Sequence, residues 1–261
     1  MSTTRFLSRM STICMLVLAY AFLYLPIIVL VAFSFNHAQF PAPWKGFTLI
    51  WYHELWQASH LWHAVGNSLL VAASATALSL LMGVSLLFYS MYSSRISNLM
   101  YLFYINLVIP EVVLAVGLLS LFVFFSVPLG LLTLIVAHTL LGIGYVIPIL
   151  YVRFMSLDQS LIESSLDLGA TPAQTFRKII LPLMRPAIFA AGLLVFIISF
   201  DDFVLSYFCA GSSAQTLPLY ILAMLRTGIS PMINALSTIL LCISSVFVLL
   251  FCSVSIRSRV F

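Results

Sequence analysis

This sequence is short of charge. Asp, Glu, Lys and Arg make up 7% of its 261 residues, and Lys45 and Lys178 are its only lysines. Soluble domains carry about 25% charged residues, so a monomer dissolved in water is excluded. With 63% hydrophobic residues and a mean hydropathy of +1.17, the chain reads as an all-α polytopic membrane protein. It also lacks a basic cluster. The net charge of +4 comes from basic residues scattered at segment ends, which excludes a nucleic-acid footprint. Cys14, Cys209, Cys242 and Cys252 lack metal or redox spacing and read as small apolar fillers, with Cys209 the one position suited to a disulfide. No G-x-x-x-x-G-K-[ST] loop is present, so the chain is not expected to hydrolyse ATP and no catalytic residue is assigned. Long linkers, low-complexity tracts and clear repeats are missing too, and residues 1–261 read as one membrane domain.

What is there is a series of apolar runs. The first extends from about Ile13 to Phe35, too long for a secretory signal and without a cleavage site, so it reads as an uncleaved spanning helix with Pro26 inside. Residues 36–62 are polar, Pro-rich and hold all four tryptophans, as a loop at headgroup level would. His53, His60 and His63 lie in or beside it without a compact ligand pattern, and no metal site is expected. The second helix is expected over Ala64–Tyr92, a turn with Arg95 over Ser93–Ser97, and the third helix over Asn98–Ser126. After the Pro128–Gly130 turn the fourth runs to about Tyr151. The fifth is expected over Pro186–Tyr207, a loop over 208–231, and the sixth to about Ser255. Six helices with both ends cytoplasmic put nine basic residues inside (Arg5, Arg9, Arg95, Arg153, Arg177, Lys178, Arg185, Arg257, Arg259) and two outside (Lys45, Arg226). That asymmetry sets the orientation.

The cytoplasmic connection, about residues 152–185, holds the densest polar stretch, Ser160–Pro182. Ser160 with Glu163 predicts a capping box, and Gly169 a left-handed helix end. Thr171, Pro172 and Gln174 predict a second start. The expected shape is two short helices at a fixed bend. Leu161, Ile162, Leu166 and Leu168 give the first an apolar surface that needs a partner groove.

Glu163-Ser164-Ser165-x-x-x-Gly169, nine positions, then Ile179-x-Leu181-Pro182 resembles the EAA loop of ABC importer permeases. Two serines stand where that family usually has alanines. The resemblance implies the type I importer permease fold and a coupling helix that docks on a separate ATPase. Ser34-Phe35-Asn36, Gly46-Phe47-Thr48 and Trp51-Tyr52 are similar to the first outer loop of polyamine permeases of the PotC and PotI type. So are Ser199-Phe200-Asp201-Asp202, Leu217-Pro218, Gly228-x-x-Pro231 and Asn234-Ala235-Leu236. This implies a bacterial inner-membrane subunit for spermidine or putrescine import. Its implied partners are an ATPase dimer that binds ATP and Mg, a second PotB-like permease, and an external polyamine-binding protein. No cofactor is expected in this chain itself.

Acids inside a span are functional candidates. With continuous helices, Glu111 and Asp201 both lie about 18–22 Å from the inner surface, in the outer half of a core about 30 Å thick, and His138 falls near that level. Such a layer suits a cation path, because an ammonium group needs carboxylate or carbonyl oxygen in place of water. Pro110 frees the Asn106 carbonyl as a further acceptor, and Tyr104 and Tyr207 offer cation–π faces. Asp201 and Asp202 diverge by about 100° on a helix, so one faces the path and the other holds a neighbour; which is which stays open. The competing readings are an ABC permease for another solute such as ferric iron, a proton-coupled carrier with these acids as relays, and a scaffold that only docks a soluble partner.

Overall fold

A computed structural model describes residues 2–38, 43–92, 100–227 and 231–258. The predicted turn over Ser93–Ser97 with Arg95, the start of the third helix at Asn98, Gly228 and Arg259 lie outside the described residues. The described residues form helices joined by turns and irregular stretches, with one isolated bridge, and the chain divides into two compact units: Met1–Ser59 with Ile221–Phe261, and His60–Tyr220. Among the described residues four helical runs are long and apolar enough to cross a membrane: Thr12–Phe33, Ser59–Ser90, Leu131–Met155 and Pro172–Asp201.

In the first unit, α1 (Ser2–Phe33) begins earlier than predicted. The polar loop after it contains a helix of its own, α2 (Ile50–Gln57), whose first N–H is met by the Thr48 hydroxyl at 3.2 Å. The loop is tied by Asn36, which is fully buried and pairs with Phe47 in an antiparallel bridge. Asn36 Oδ1 accepts the Lys45 N–H at 2.9 Å, and its carbonyl accepts the Trp51 indole N–H at 2.8 Å. The Phe35 ring stacks on Phe47 with centroids 5.3 Å apart, and Tyr52 bonds to Ser34 at 2.7 Å. A buried polar backbone group must be paired, and here the loop's own side chains pair it. The last helix (Pro231–Ser258) packs against α1 and α2.

The second unit starts with α3 (Ser59–Ser90), which buries a stripe of small residues, Ala72, Ala75, Ser79 and Gly83. The stripe meets α5 (Leu131–Met155): Ser79 donates to the Thr139 carbonyl at 3.0 Å, and a Cβ on Gly83 would sit 2.5 Å from Val146. Between helices in lipid, where apolar burial drives little, close backbone approach supplies the packing.

The predicted third helix is broken. A 3₁₀ helix over Tyr101–Leu107 is followed, after Val108–Pro110, by α4 (Glu111–Phe124). Pro110 has no N–H and disfavours helical geometry in the residue before it, so the chain stops and restarts. The predicted fifth helix starts earlier and ends sooner. The polar connection between α5 and that span carries α6 (Gln159–Asp167) and α7 (Pro172–Thr175). From α7 the chain passes through a π-turn, Phe176–Ile180, into α8 (Leu181–Asp201). Pro182 explains the π-turn: its ring would strike the carbonyl four residues back in a regular helix. The turn widens so that Leu181 donates instead to Phe176, five residues back. The expected second short helix is therefore the first turns of the long span. After Asp201 the chain breaks again and continues as α9 (Val204–Cys209), which places Tyr207 on a separate helix. The predicted loop over 208–231 contains α10 (Leu217–Thr227), which makes the Pro231–Ser258 helix α11.

Candidate functional site

Two features of the second unit carry chemistry: the hairpin between α5 and α8, and a polar node where the broken spans meet.

The hairpin is built by local hydrogen bonds. Its first cap is Asp158, where Ser160 was expected. The Asp158 backbone is extended and its Oδ1 accepts the Ser160 N–H at 3.0 Å, while Ser160 is already helical. Hydrogen bonds from the Ser160 side chain and backbone hold the Asp158 carboxyl below the ordinary aspartate range. Gly169 ends α6 with φ +85°, as expected, and the Ala170 N–H closes on the Ser165 carbonyl at 3.1 Å. The predicted second cap is also present. The Thr171 hydroxyl accepts the Gln174 N–H at 3.3 Å and the Gln174 side chain accepts the Thr171 N–H at 2.9 Å. Ser165 bonds across the bend to Thr175 at 2.9 Å, and Thr175 is 1% exposed. The serine at the second alanine position of the loop thus has a partner. On the inner side Ile162, Phe176 and Ile180 join the core formed by Leu87, Ile147 and Leu150. Ile179, Leu181 and Pro182 are half-buried at the stem, and Glu163 and Ser164 are exposed. Leu161 and Leu168, seven residues apart and so on one face, are 48% and 89% exposed. This is a rigid bend with an uncovered apolar face.

The node lies where α5, α8 and α9 meet. His138 of α5 is 1% exposed. Its Nδ1 lies 2.7 Å from the Ser199 hydroxyl of α8. Its Nε2 lies 3.4 Å from Asp202 Oδ2 and 3.5 Å from the Ser206 hydroxyl. Asp202, 7% exposed, also accepts the N–H groups of Leu205 at 3.3 Å and Ser206 at 2.9 Å. It therefore caps α9 and holds α5 at once, the neighbour-holding role left open between the two aspartates. Asp201, one residue earlier, is exposed. Glu111, the first residue of α4, lies near enough to Asp202 for the two carboxyl groups to interact electrostatically, and α9 packs along α4. The two helix breaks bring these acids together. The depth worked from a continuous helix does not carry over for Glu111, whose run breaks at Val108–Pro110 before reaching it, whereas α8 is unbroken up to Asp201.

The remaining predicted residues divide. Asn106 spends its side-chain amide on the Leu140 carbonyl at 3.1 Å, close against Gly144. Tyr207 presents a half-exposed ring beside Phe203 and Phe208, centroids 5.5 Å away in both cases. Tyr104 is half-buried. The parts of the node that sequence reasoning missed are Ser199 and Ser206. An Asp followed within four residues by new helical N–H donors is an N-cap signal, and Asp202 to Ser206 carries it. Among the described residues no group of three His, Cys, Asp or Glu is arranged to hold a metal. The node offers carboxylate oxygen, which suits a cation.

Residues 75–257 match the family described as the binding-protein-dependent transport system inner membrane component. The chain belongs to this family. It is a permease, a transport subunit of the ABC importer class. The permease is 38% identical over 88% of its length, and 88% of the relative's, to the spermidine/putrescine transport system permease protein PotC of Escherichia coli K12. It is 36% identical to the putrescine transport system permease protein PotI of the same strain, over 88% of its length and 85% of the relative's. Its fold is that of type I ABC importer permeases. A crystal structure of a bacterial ABC transporter involved in alginate import matches 98% of both chains with a TM-score of 0.71 at 14% identity. An inward-facing MetNI methionine ABC transporter matches 82% of this permease and 100% of that chain with a TM-score of 0.57 at 20% identity.

Proposed function

We propose that this permease is one membrane subunit of an ATP-driven importer that brings spermidine or putrescine into the bacterial cytoplasm. The observation that carries the substrate is the carboxyl cluster at two helix breaks, in a chain whose relatives are named for these polyamines. Glu111 and the outward Asp201 meet successive ammonium groups, and Asp202 sets the frame between them. Tyr207 adds an aromatic face. Tyr104 and Asn106 flank the same broken span.

The chain crosses the inner membrane six times with both ends cytoplasmic, as one permease domain. The 3₁₀ helix and α4 together make the third crossing, and α11 makes the sixth. The α6 hairpin then lies in the cytoplasm and docks on an ATPase dimer through Leu161, Ser164 and Leu168, with Glu163 at their flank. A second, PotB-like permease and an external polyamine-binding protein complete the complex. ATP and Mg bind the ATPase subunits, and this chain needs no cofactor. Nucleotide shifts the complex between inward- and outward-open states because the two states bind it differently. The hairpin transmits that shift and selects nothing.

Co-purification of the chain with its partners, followed by ATP hydrolysis with and without spermidine or putrescine, tests the reading. Stimulation by either polyamine is expected. Stimulation by ferric iron in its place, or by no cation, refutes the substrate.

A further inference from the structure

We infer that His138 is a positioning residue for substrate: by holding Asp202 against α5, it fixes the break in the fifth span and so sets where Asp201 and Glu111 present their carboxyl groups. The inference rests on the polyamine reading of those acids.

The geometry is that of a clamp. One buried ring joins three helices, with α8 held through Ser199 at 2.7 Å and α9 through Ser206 at 3.5 Å. Asp202, at 3.4 Å, lies in the break between them. A proton on Nε2 faces Asp202 and the Ser206 hydroxyl and leaves Nδ1 to accept from the Ser199 hydroxyl. Around Asp202 the remaining groups are the two α9 N–H donors from which it accepts and the nearby Glu111 carboxyl. Asp202 is thus fully engaged inside the protein, and its neighbour Asp201 is left exposed. A helix interrupted at adjacent acids can present either one outward by a turn of about 100°. His138 decides which, since only the carboxyl that reaches it is drawn in. His138 itself, 1% exposed, touches no substrate.

The test uses the full complex in lipid nanodiscs. His138→Leu removes the clamp, His138→Gln returns an amide donor to the Nε2 position, and Ser199→Ala releases only the Nδ1 side. Loss of a buried polar contact to a charged group predicts a rise of about tenfold in the polyamine concentration for half-maximal ATPase stimulation in His138→Leu. The maximal rate at saturation should stay within about twofold. His138→Gln should recover most of the affinity, and Ser199→Ala should fall between. Unchanged half-saturation in His138→Leu, or an equal loss in the Gln variant, overturns the inference.

A second readout needs no polyamine. Asp201→Cys is labelled by a cationic thiol reagent in a chain with Cys14, Cys242 and Cys252 replaced by serine. Ser199→Ala or His138→Leu should change the labelling rate severalfold, and an unchanged rate in both refutes the positioning role. A wild-type complex indifferent to polyamines, with labelling that still responds to His138, would sink the substrate reading and leave the clamp standing.

Discussion

Gly169 offers the sharpest perturbation of the hairpin. Its φ of +85° lies where L side chains are strained, yet a Cβ added there would meet no atom within 4 Å. Substitution therefore has no packing cost, and the backbone alone sets the penalty. For alanine that is about 1–2 kcal/mol, a factor of roughly 5–30 in the population of the formed bend. Asparagine tolerates the left-handed region better, and valine, branched at Cβ, tolerates it worst. The expected order of damage is Asn, then Ala, then Val. The assay is ATP hydrolysed per substrate molecule imported by the assembled complex, with the melting temperature followed in parallel. If the bend opens locally, coupling worsens along the series while the melting temperature stays nearly constant. A penalty felt by the whole fold would lower it by about 2–4 °C per kcal/mol. Equal coupling in all three variants, or Asn worse than Val, would refute the claim that the left-handed turn holds the coupling geometry.

Gly142→Ala is expected to do the reverse, because its Cβ would lie 2.8 Å from Val195 Cγ1 in the α5–α8 contact. Overpacking costs about 1–3 kcal/mol and should appear as a lower melting temperature with coupling ratio intact. Asp202→Ala leaves His138 and the Leu205 and Ser206 N–H groups without their acceptor and should reduce assembled complex in a gel-filtration assay. Asp201→Ala should assemble normally and fail in uptake. Asp158 has a depressed pKa from its Ser160 hydrogen bonds, so its cap is fully present above the ordinary aspartate pKa and is lost only as pH falls through the lower folded value. Coupling should accordingly be flat between about pH 5 and 8 in wild type and in Asp158→Asn, and a wild-type transition in that range that Asp158→Asn abolishes would count against this cap.

Much of this was legible in the sequence where local chemistry decides. Gly169, Thr171 with Gln174, and the EAA-like spacing name the bend because each acts on backbone groups within a few residues. The apolar runs identify spans for the same reason. What was not legible depended on long-range partners. Pro110 and Asp202 each interrupt a run that hydropathy reads as continuous, and α5 supplies a distant partner beside each break, the Leu140 carbonyl for Asn106 and His138 for Asp202. The assignment of Asp202 inward and Asp201 outward follows from His138, sixty-odd residues away in sequence. Ser160 lost the cap to Asp158 because the two are near-equal N-cap residues two positions apart, and backbone geometry made the choice. The Ser165–Thr175 bond explains a motif departure that spacing alone shows only as weaker helix propensity.

The central claim is that ATP, acting through the hairpin, drives a polyamine past Glu111 and Asp201. The measurement that meets it most directly is uptake of labelled spermidine and putrescine into proteoliposomes holding the whole complex, with ATP enclosed on the hairpin side and the binding protein outside. The account predicts accumulation that requires ATP, ignores an uncoupler, and is lost in Glu111→Gln with Asp201→Asn while the ATPase subunits stay bound. Wild-type uptake by that double variant, or accumulation driven by a proton gradient without ATP, would contradict it.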